Sequence, residues 1–417
     1  AGLGQHGVAI SQGQPYLFGM VVKTQNPVEF AVSLTDRAGK KVYCRTTFTG
    51  EGADWTRFEV ELTPQAADPD ADLRICWEEA GHVCVGAISL LPKDHFHGMR
   101  RDVVEAMKEL GIKVLRWPGG NFAGEFNWMD GLLPVDMRAP FQSYLGLETQ
   151  PHTMGYDYSE INTDDFIALC REIGAEPFIT INPCRNTPEE NAAWVEYCNG
   201  TLDTYYANLR RSHGYEEPFG VKFWGLGNEM YGPWQMENQT AAEYADSAVQ
   251  FAKAMKAVDK SIRLVACGME QDAEWNHTVV KRLAPYIDLI SAHYYGLGWE
   301  DFGDVSEKYE ESLYIPYQID ERHKLTLASI ITGQNGVKNE IKVAWDEWNM
   351  FGWNFSTVNQ DETYILHDAI ITALILNWLV RNCDTVKMAM YSTFVNITGA
   401  LHVTKEGCLK RTPYYVF

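Results

Sequence analysis

The sequence predicts an α/β protein: a (β/α)8 TIM-type barrel, with about seven of its strands visible, preceded by a small antiparallel β-sandwich. Three observations carry this. Residues 1–92 hold short apolar runs with no helical period, residues 93–417 alternate strand and helix, and two of the later strands run out into a glutamate flanked by tryptophans.

In the first part, Tyr16–Val22, Glu29–Leu34, Thr56–Leu62, Asp72–Trp77 and Val83–Leu90 recur at short spacing between Gly, Asp, Pro and Asn. That is the grammar of an antiparallel sandwich. Its aromatics suit sugar binding, as in a carbohydrate-binding module, and equally suit a packing module without a ligand.

From His97 the pattern changes. Arg100 to Leu110 has helical spacing and stops at Gly111, and Lys113–Trp117 follows as a strand closed by Pro118-Gly-Gly120. A helix at Asp164–Glu172, a strand at Pro177–Ile181 and a helix from Pro188 lead to the strand that begins at Lys222 and ends at Asn228-Glu229. Next come a helix over Ala241–Val258, a strand at Arg263–Cys267, a helix at Trp275–Tyr286 and a strand at Leu289–Tyr295. A helical stretch over Val305–Thr332 precedes the strand Ile341–Asn349, and a helix over Thr363–Val380 precedes the strand Thr385–Tyr391. Such alternation builds a parallel sheet with helices outside, and a closed barrel of this kind needs about one strand more than the sequence shows.

Composition narrows the function. The chain has 417 residues, 46% of them apolar, enough for a large core. A formal net charge of −21, with the acids dispersed, argues against nucleic acid or an anionic membrane as partner and favours a neutral substrate. The apolar run Ala369–Val380 is interrupted by Thr372 and Asn377 and falls short of the ~20 residues a membrane helix needs. Nine cysteines without a CxxC pair read as reduced core residues, and the chain opens without a secretory leader, so a cytoplasmic setting is expected. No His-Glu-x-x-His helix, nucleotide-binding glycine fingerprint or Gly-x-Ser-x-Gly elbow occurs. Neither a metal nor a cofactor is expected.

Two strand-end glutamates suit glycoside chemistry. Cleavage with retention needs one carboxylic acid and one carboxylate roughly 5 to 5.5 Å apart, which two barrel strands can place across one bond. Glu229, among Trp224, Tyr231 and Trp234, is expected to have a raised pKa and to serve as acid and then base. Glu347 is the expected nucleophile. The competing reading is a pair of rim glutamates matched to basic residues. Asp346, by strand alternation, is expected to point away from the site.

Arg116-Trp-Pro-Gly-Gly-Asn-Phe122 with Phe126–Asp130, Trp224–Glu229 with Gly232–Gln235, and Asp346-Glu-Trp-Asn349 resemble glycoside hydrolase family 51, the retaining α-L-arabinofuranosidases. The resemblance covers nearly the whole chain. It implies a barrel with the acid/base after strand 4 and the nucleophile on strand 7, a missing strand 1, and substrates among arabinose-containing oligo- and polysaccharides. By motif position, it implies sugar hydroxyl ligands at Asn121 and Asn228, and a sugar-holding, nucleophile-orienting pair at His293 and Tyr295. Trp128, Trp234 and Trp348 are candidate walls for the sugar, though each also suits a core. Homo-oligomers are frequent in the family, so one is possible for this chain. Where the family usually has a glutamine after strand 8, alignment on Val395-Asn396 places Thr393. An endo-acting β-1,4-glucanase or xylanase is an alternative on the same scaffold, and an inactive sugar-binding fragment is another. Carboxyl groups of Glu229 and Glu347 more than about 10 Å apart would exclude the enzyme.

Overall fold

Seven antiparallel strands form the first part of the chain: β1 (Gly2–Ile10), β2 (Tyr16–Thr24), β3 (Val28–Thr35), β4 (Val42–Gly50), β5 (Thr56–Leu62), β6 (Asp68–Cys76) and β7 (Val83–Pro92). The computed structural model describes residues 1–78, 82–144, 154–297, 305–351 and 364–417. The strands make two sheets, in the orders β1-β6-β3-β4 and β5-β2-β7. Alternate residues of β2, β3 and β6, among them Phe18, Met20, Phe30, Val32, Leu73 and Ile75, bury their side chains in one core. Trp77 packs on Phe30 at 5.6 Å, whereas Trp55 is exposed. β1 lies outside the sequence expectation because its glycine-rich, largely exposed stretch has no alternation to read.

The chain divides into two compact units. One comprises Ala1–Glu105, Leu133–Arg138 and Val403–Cys408, the other Ala106–Leu132, Ala139–His402 and Leu409–Phe417. Two short returns to the first unit are invisible to a linear reading of the sequence.

The second unit is built on parallel strands: β8 (Val114–Trp117), β11 (Glu176–Thr180), β12 (Phe223–Leu226), β13 (Arg263–Ala266), β14 (Leu289–Leu297), β15 (Lys342–Phe351) and β16 (Val386–Tyr391). A small hairpin, β9 (Phe141–Gln142) with β10 (Tyr156–Asp157), follows β8. The sheet order is β8-β11-β12-β13-β14-β15-β16, so neighbours in sequence are neighbours in space. Val114, Phe178, Phe223, Val265, Leu289, Ala344 and Met388 supply one side chain from each strand to a common apolar cluster. This cluster fills the barrel interior below the C-terminal ends of the strands.

The helices fall between the strands as the apolar spacing predicts, at Thr163–Ile173, Pro188–Asn199, Ala241–Val258, Ala273–Leu283 and Leu366–Arg381. Reciprocal capping pairs start three of them, Asn162 with Asp165, Thr187 with Glu190 and Thr240 with Glu243. The stretch predicted as one helix from Val305 is two, Val305–Ser312 and Ile315–Gln334, because Pro316 starts a new helix. Thr363, where the last helix was expected to begin, lies outside the described residues.

Among the described residues β8 and β16 each pair on one side only. A cavity of about 520 Å³ occupies the seam between them, lined by Val114, Leu115, Met390, Tyr391 and Phe417 and reaching Arg116, Asp346 and Glu347.

Candidate active site

The strand ends of the second unit bring Arg116, Asn228, Glu229, His293, Tyr295, Asp346 and Glu347 together. Glu229 lies beyond β12 on a tight turn. Gly227 has φ +87°, and a Cβ there would meet Pro183 Cγ at 2.9 Å, so only glycine fits. Glu229 itself has φ 41°, an uncommon conformation for a residue with a side chain, and it turns the carboxylate inward.

Glu347 lies within β15, and the strand is irregular there. Ser291 pairs with Ala344 and His293 with Glu347, so β15 spends three residues where β14 spends two. Against β16 the same extra residue separates Trp345 from Trp348. A bulge breaks the alternation that would send Asp346 outward. Asp346 therefore joins the site, with Oδ2 at 3.3 Å from Arg116 Nε and Oδ1 at 3.3 Å from His293 Nε2, and it accepts from Ser291 Oγ at 2.5 Å. This corrects the expectation that it points away.

Arg116, a charged residue in a buried strand, organises the floor. Its Nη1 donates to Glu347 Oε1 at 2.7 Å, Nη2 to Asn228 Oδ1 at 2.7 Å and Nε to Thr180 Oγ1 at 3.1 Å. Tyr295 donates to Glu347 Oε2 at 2.7 Å, and its hydroxyl lies 2.8 Å from Ser392 Oγ. Glu347 is thus held on both oxygens. Burial works against the Arg116 cation, but Asp346 and Glu347 hold its pKa above the usual value. Burial likewise raises Asp346, and Arg116 and His293 outweigh it and keep it below the usual carboxylate range.

Glu229 differs from the expectation. Burial among aromatics does push its carboxyl up, but the hydrogen bond and charge of His293, with the Trp234 N–H, outweigh it and leave the group low. His293 Nδ1 lies 2.8 Å from Glu229 Oε1, and Trp234 Nε1 donates to Oε2 at 2.5 Å. Burial opposes the imidazolium of His293, yet Glu347, Asp346 and Glu229 hold its pKa well above the usual histidine value. Donor atoms of Glu229, His293 and Glu347 lie within 4.8 Å of one another. The Arg116 cation already sits at Glu347, and the histidine nitrogen is engaged with Glu229, so the set fits proton sharing better than metal binding.

Other candidates divide. Asn228 is 2% exposed, and its Nδ2 has no partner among the described residues, which suits a sugar hydroxyl. Asn121 is half-buried in the 3-10 turn Gly120–Gly124 directly after β8. Trp234 is exposed at the site, but two other tryptophans are not. Trp128 is fully buried, stacked on Trp194 at 5.8 Å and donating to Glu190 O, so it belongs to the core. Trp348 is 2% exposed and packs on Tyr391 at 5.1 Å and Phe417 at 6.0 Å, also core. Thr393 lines the seam cavity, with its hydroxyl turned to Val395 O and Asn396 O. Sequence reasoning passed over Arg116, Ser291 and Ser392. Arg116 did carry a signal, since an arginine in a buried strand requires partners.

Two carboxylates that approach within 4.8 Å, one in β15 and one just beyond β12, are the arrangement a retaining glycoside hydrolase uses. Residues 106–312 match the family model described as alpha-L-arabinofuranosidase 1 domain, and residues 346–417 match the alpha-L-arabinofuranosidase C-terminal domain. A probable alpha-L-arabinofuranosidase C of Aspergillus fumigatus is 38% identical over 349 residues, 78% of this chain and 66% of its own length. An intracellular exo-alpha-(1->5)-L-arabinofuranosidase of Halalkalibacterium halodurans is 32% identical over 345 residues, with the same coverage of 78% and 66%. Among solved structures, the arabinose complex of the Thermotoga maritima alpha-L-arabinofuranosidase superposes with a TM-score of 0.67 and 38% identity, covering 77% of this chain and 63% of that one. The chain belongs to the family 51 α-L-arabinofuranosidases. It spans 66% of the length of the two curated relatives, about two thirds.

Proposed function

We propose that this chain carries the catalytic machinery of a retaining exo-glycosidase that releases terminal α-L-arabinofuranosyl residues from arabinan- or arabinoxylan-type glycans. The observation that supports this most directly is the placement of carboxylate oxygens of Glu229 and Glu347 within 4.8 Å. Inverting enzymes separate the pair by roughly 6.5–9.5 Å to admit a water.

In the first step Glu347, ionised and held by Arg116 and Tyr295, attacks the anomeric carbon. The bond to the leaving oxygen breaks, and Glu229 protonates that oxygen. In the second, Glu229 as carboxylate takes a proton from water, which attacks the same carbon and frees Glu347. Asn228 Nδ2 is the donor for a sugar hydroxyl, and Asn121 and His293 complete the binding set. The relatives' names favour arabinofuranoside over internal cleavage of β-1,4-glucan or xylan. An intracellular setting is part of this reading, supported by the bacterial relative's name and by nine free cysteines. No helix among the described residues is long and apolar enough to cross a membrane.

Hydrolysis of 4-nitrophenyl α-L-arabinofuranoside, with Glu347→Ala as control, tests the proposal. Release by the wild type and none by the variant is expected. Release only from an internally cleaved β-1,4-xylan or glucan would replace it.

A further inference from the structure

Glu229 must carry a proton when the leaving oxygen departs, yet its hydrogen bonds favour the ionised form. The proton has to be close by. His293 is 5% exposed and faces three carboxylates: Glu229 at 2.8 Å and Glu347 at 3.6 Å from Nδ1, and Asp346 at 3.3 Å from Nε2. Among the described residues, the one cation in contact with this group is Arg116, bound to Asp346 and Glu347. With a neutral imidazole, three negative charges would share one positive charge in a buried space. An imidazolium halves that imbalance.

We propose that His293 stores the acid/base proton in the unliganded site and passes it to Glu229, across the Nδ1–Oε1 hydrogen bond, when a neutral sugar fills the site. This rests on the acid/base role of Glu229 proposed above. The N–H bond breaks with its electron pair left on Nδ1, an O–H bond forms at Oε1, and an ion pair becomes a neutral pair. Sugar binding favours that direction because displacing water lowers the local dielectric, in which a neutral pair costs less than separated charges. Glu229 then protonates the leaving oxygen, recovers a proton from the attacking water and returns it to His293 as product leaves. Among the described residues, the ionisable groups around this cluster besides the three carboxylates include Glu270 after β13, whose charge acts on His293, Arg116 on β8, bound to Asp346 and Glu347, and Tyr295 on the histidine's own strand, bound to Glu347. Glu270, buried beside Arg322 at 2.9 Å, adds to the negative surroundings when ionised.

The test is the pH dependence of kcat/KM on two substrates, α-1,5-arabinobiose, whose leaving group needs a proton, and 4-nitrophenyl α-L-arabinofuranoside, whose leaving group does not. His293→Gln should move the alkaline limb toward acid by at least about one pH unit on arabinobiose, with a smaller move or none on the nitrophenyl substrate. Asp346→Asn keeps both partners and removes the charge behind Nε2, so it should move the limb the same way by less. A parallel loss on both substrates with the limb in place, in either variant, would reduce His293 to a structural support and overturn the proposal. Side-chain ¹⁵N spectra, assigned against His293→Gln, give a readout that needs no turnover. They should show His293 as imidazolium at pH 7 in the free protein and neutral with an arabinofuranose-configured inhibitor bound. A neutral ring in the free protein overturns the inference even in a chain that hydrolyses neither substrate. An imidazolium in such a chain would leave proton storage standing and remove the proposed activity instead.

Discussion

The two glutamate-bearing strands end in opposite ways. Glu347 sits inside a ten-residue strand, with a guanidinium on one oxygen and a tyrosine hydroxyl on the other. Glu229 sits three residues past a four-residue strand, on a turn with a left-handed backbone, touched by an imidazole and an exposed indole. One carboxylate is clamped by partners that stay charged or fixed. The other is held by a group that can exchange a proton with it. A nucleophile needs a fixed position and a constant charge, whereas an acid/base needs a charge that changes twice per turnover.

Substitutions can break or sharpen this contrast. Glu347→Ala should cut turnover of every arabinofuranoside by about 10⁴-fold or more, because it removes the group that attacks the anomeric carbon. Initial rates on several leaving groups check this, and a loss that varied with leaving group would contradict the nucleophile assignment. Glu229→Ala should lose about 10²–10⁴-fold on arabinobiose and much less on a strongly acidic leaving group. Equal losses on the two would move the acid role elsewhere. Tyr295→Phe removes one of the two clamps on Glu347, so kcat should fall about 10- to 100-fold with little change in KM. A rise in KM alone would make the tyrosine a binding group instead. Trp234→Phe keeps the ring but deletes the N–H that favours ionised Glu229. Losing that donor should raise the Glu229 pKa, so the alkaline limb of kcat/KM on arabinobiose moves up in pH while the maximum rate changes by a few-fold. An unmoved limb would show that the indole contributes only a surface.

The seam sets a second contrast, between the continuous pairing that runs from β8 through β16 and the outer edges of those two strands, which among the described residues are unpaired and face a cavity. The sequence shows about seven barrel strands, and among the described residues seven pair. Apolar runs of this length with flanking turns leave few other solutions, which is why the alternation of strands and helices was legible. Boundaries shifted where a local signal took over, as at Pro316.

The candidate site was legible in its two carboxylates, which the structure brings together, and less so in its walls. Glu229 and Glu347 stand in motifs whose aromatic and glycine neighbours make sense only at a strand end. Trp128 and Trp348 stand in the same motifs and lie in the core, because an indole packs as readily against Trp194 or Tyr391 as against a sugar.

The sequence by itself determined the architecture, since periods of two and of three to four residues follow from backbone geometry and are written in the order of apolar side chains. It also marked the two carboxylates. Only the tertiary structure decided their electrostatics. The bulge in β15 brings Asp346 behind His293, and Arg116 crosses from another strand to reach Glu347 and Asn228. Charge–charge energies depend on distances and burial between residues as far apart in the chain as Arg116 and Glu347, and no local pattern encodes those.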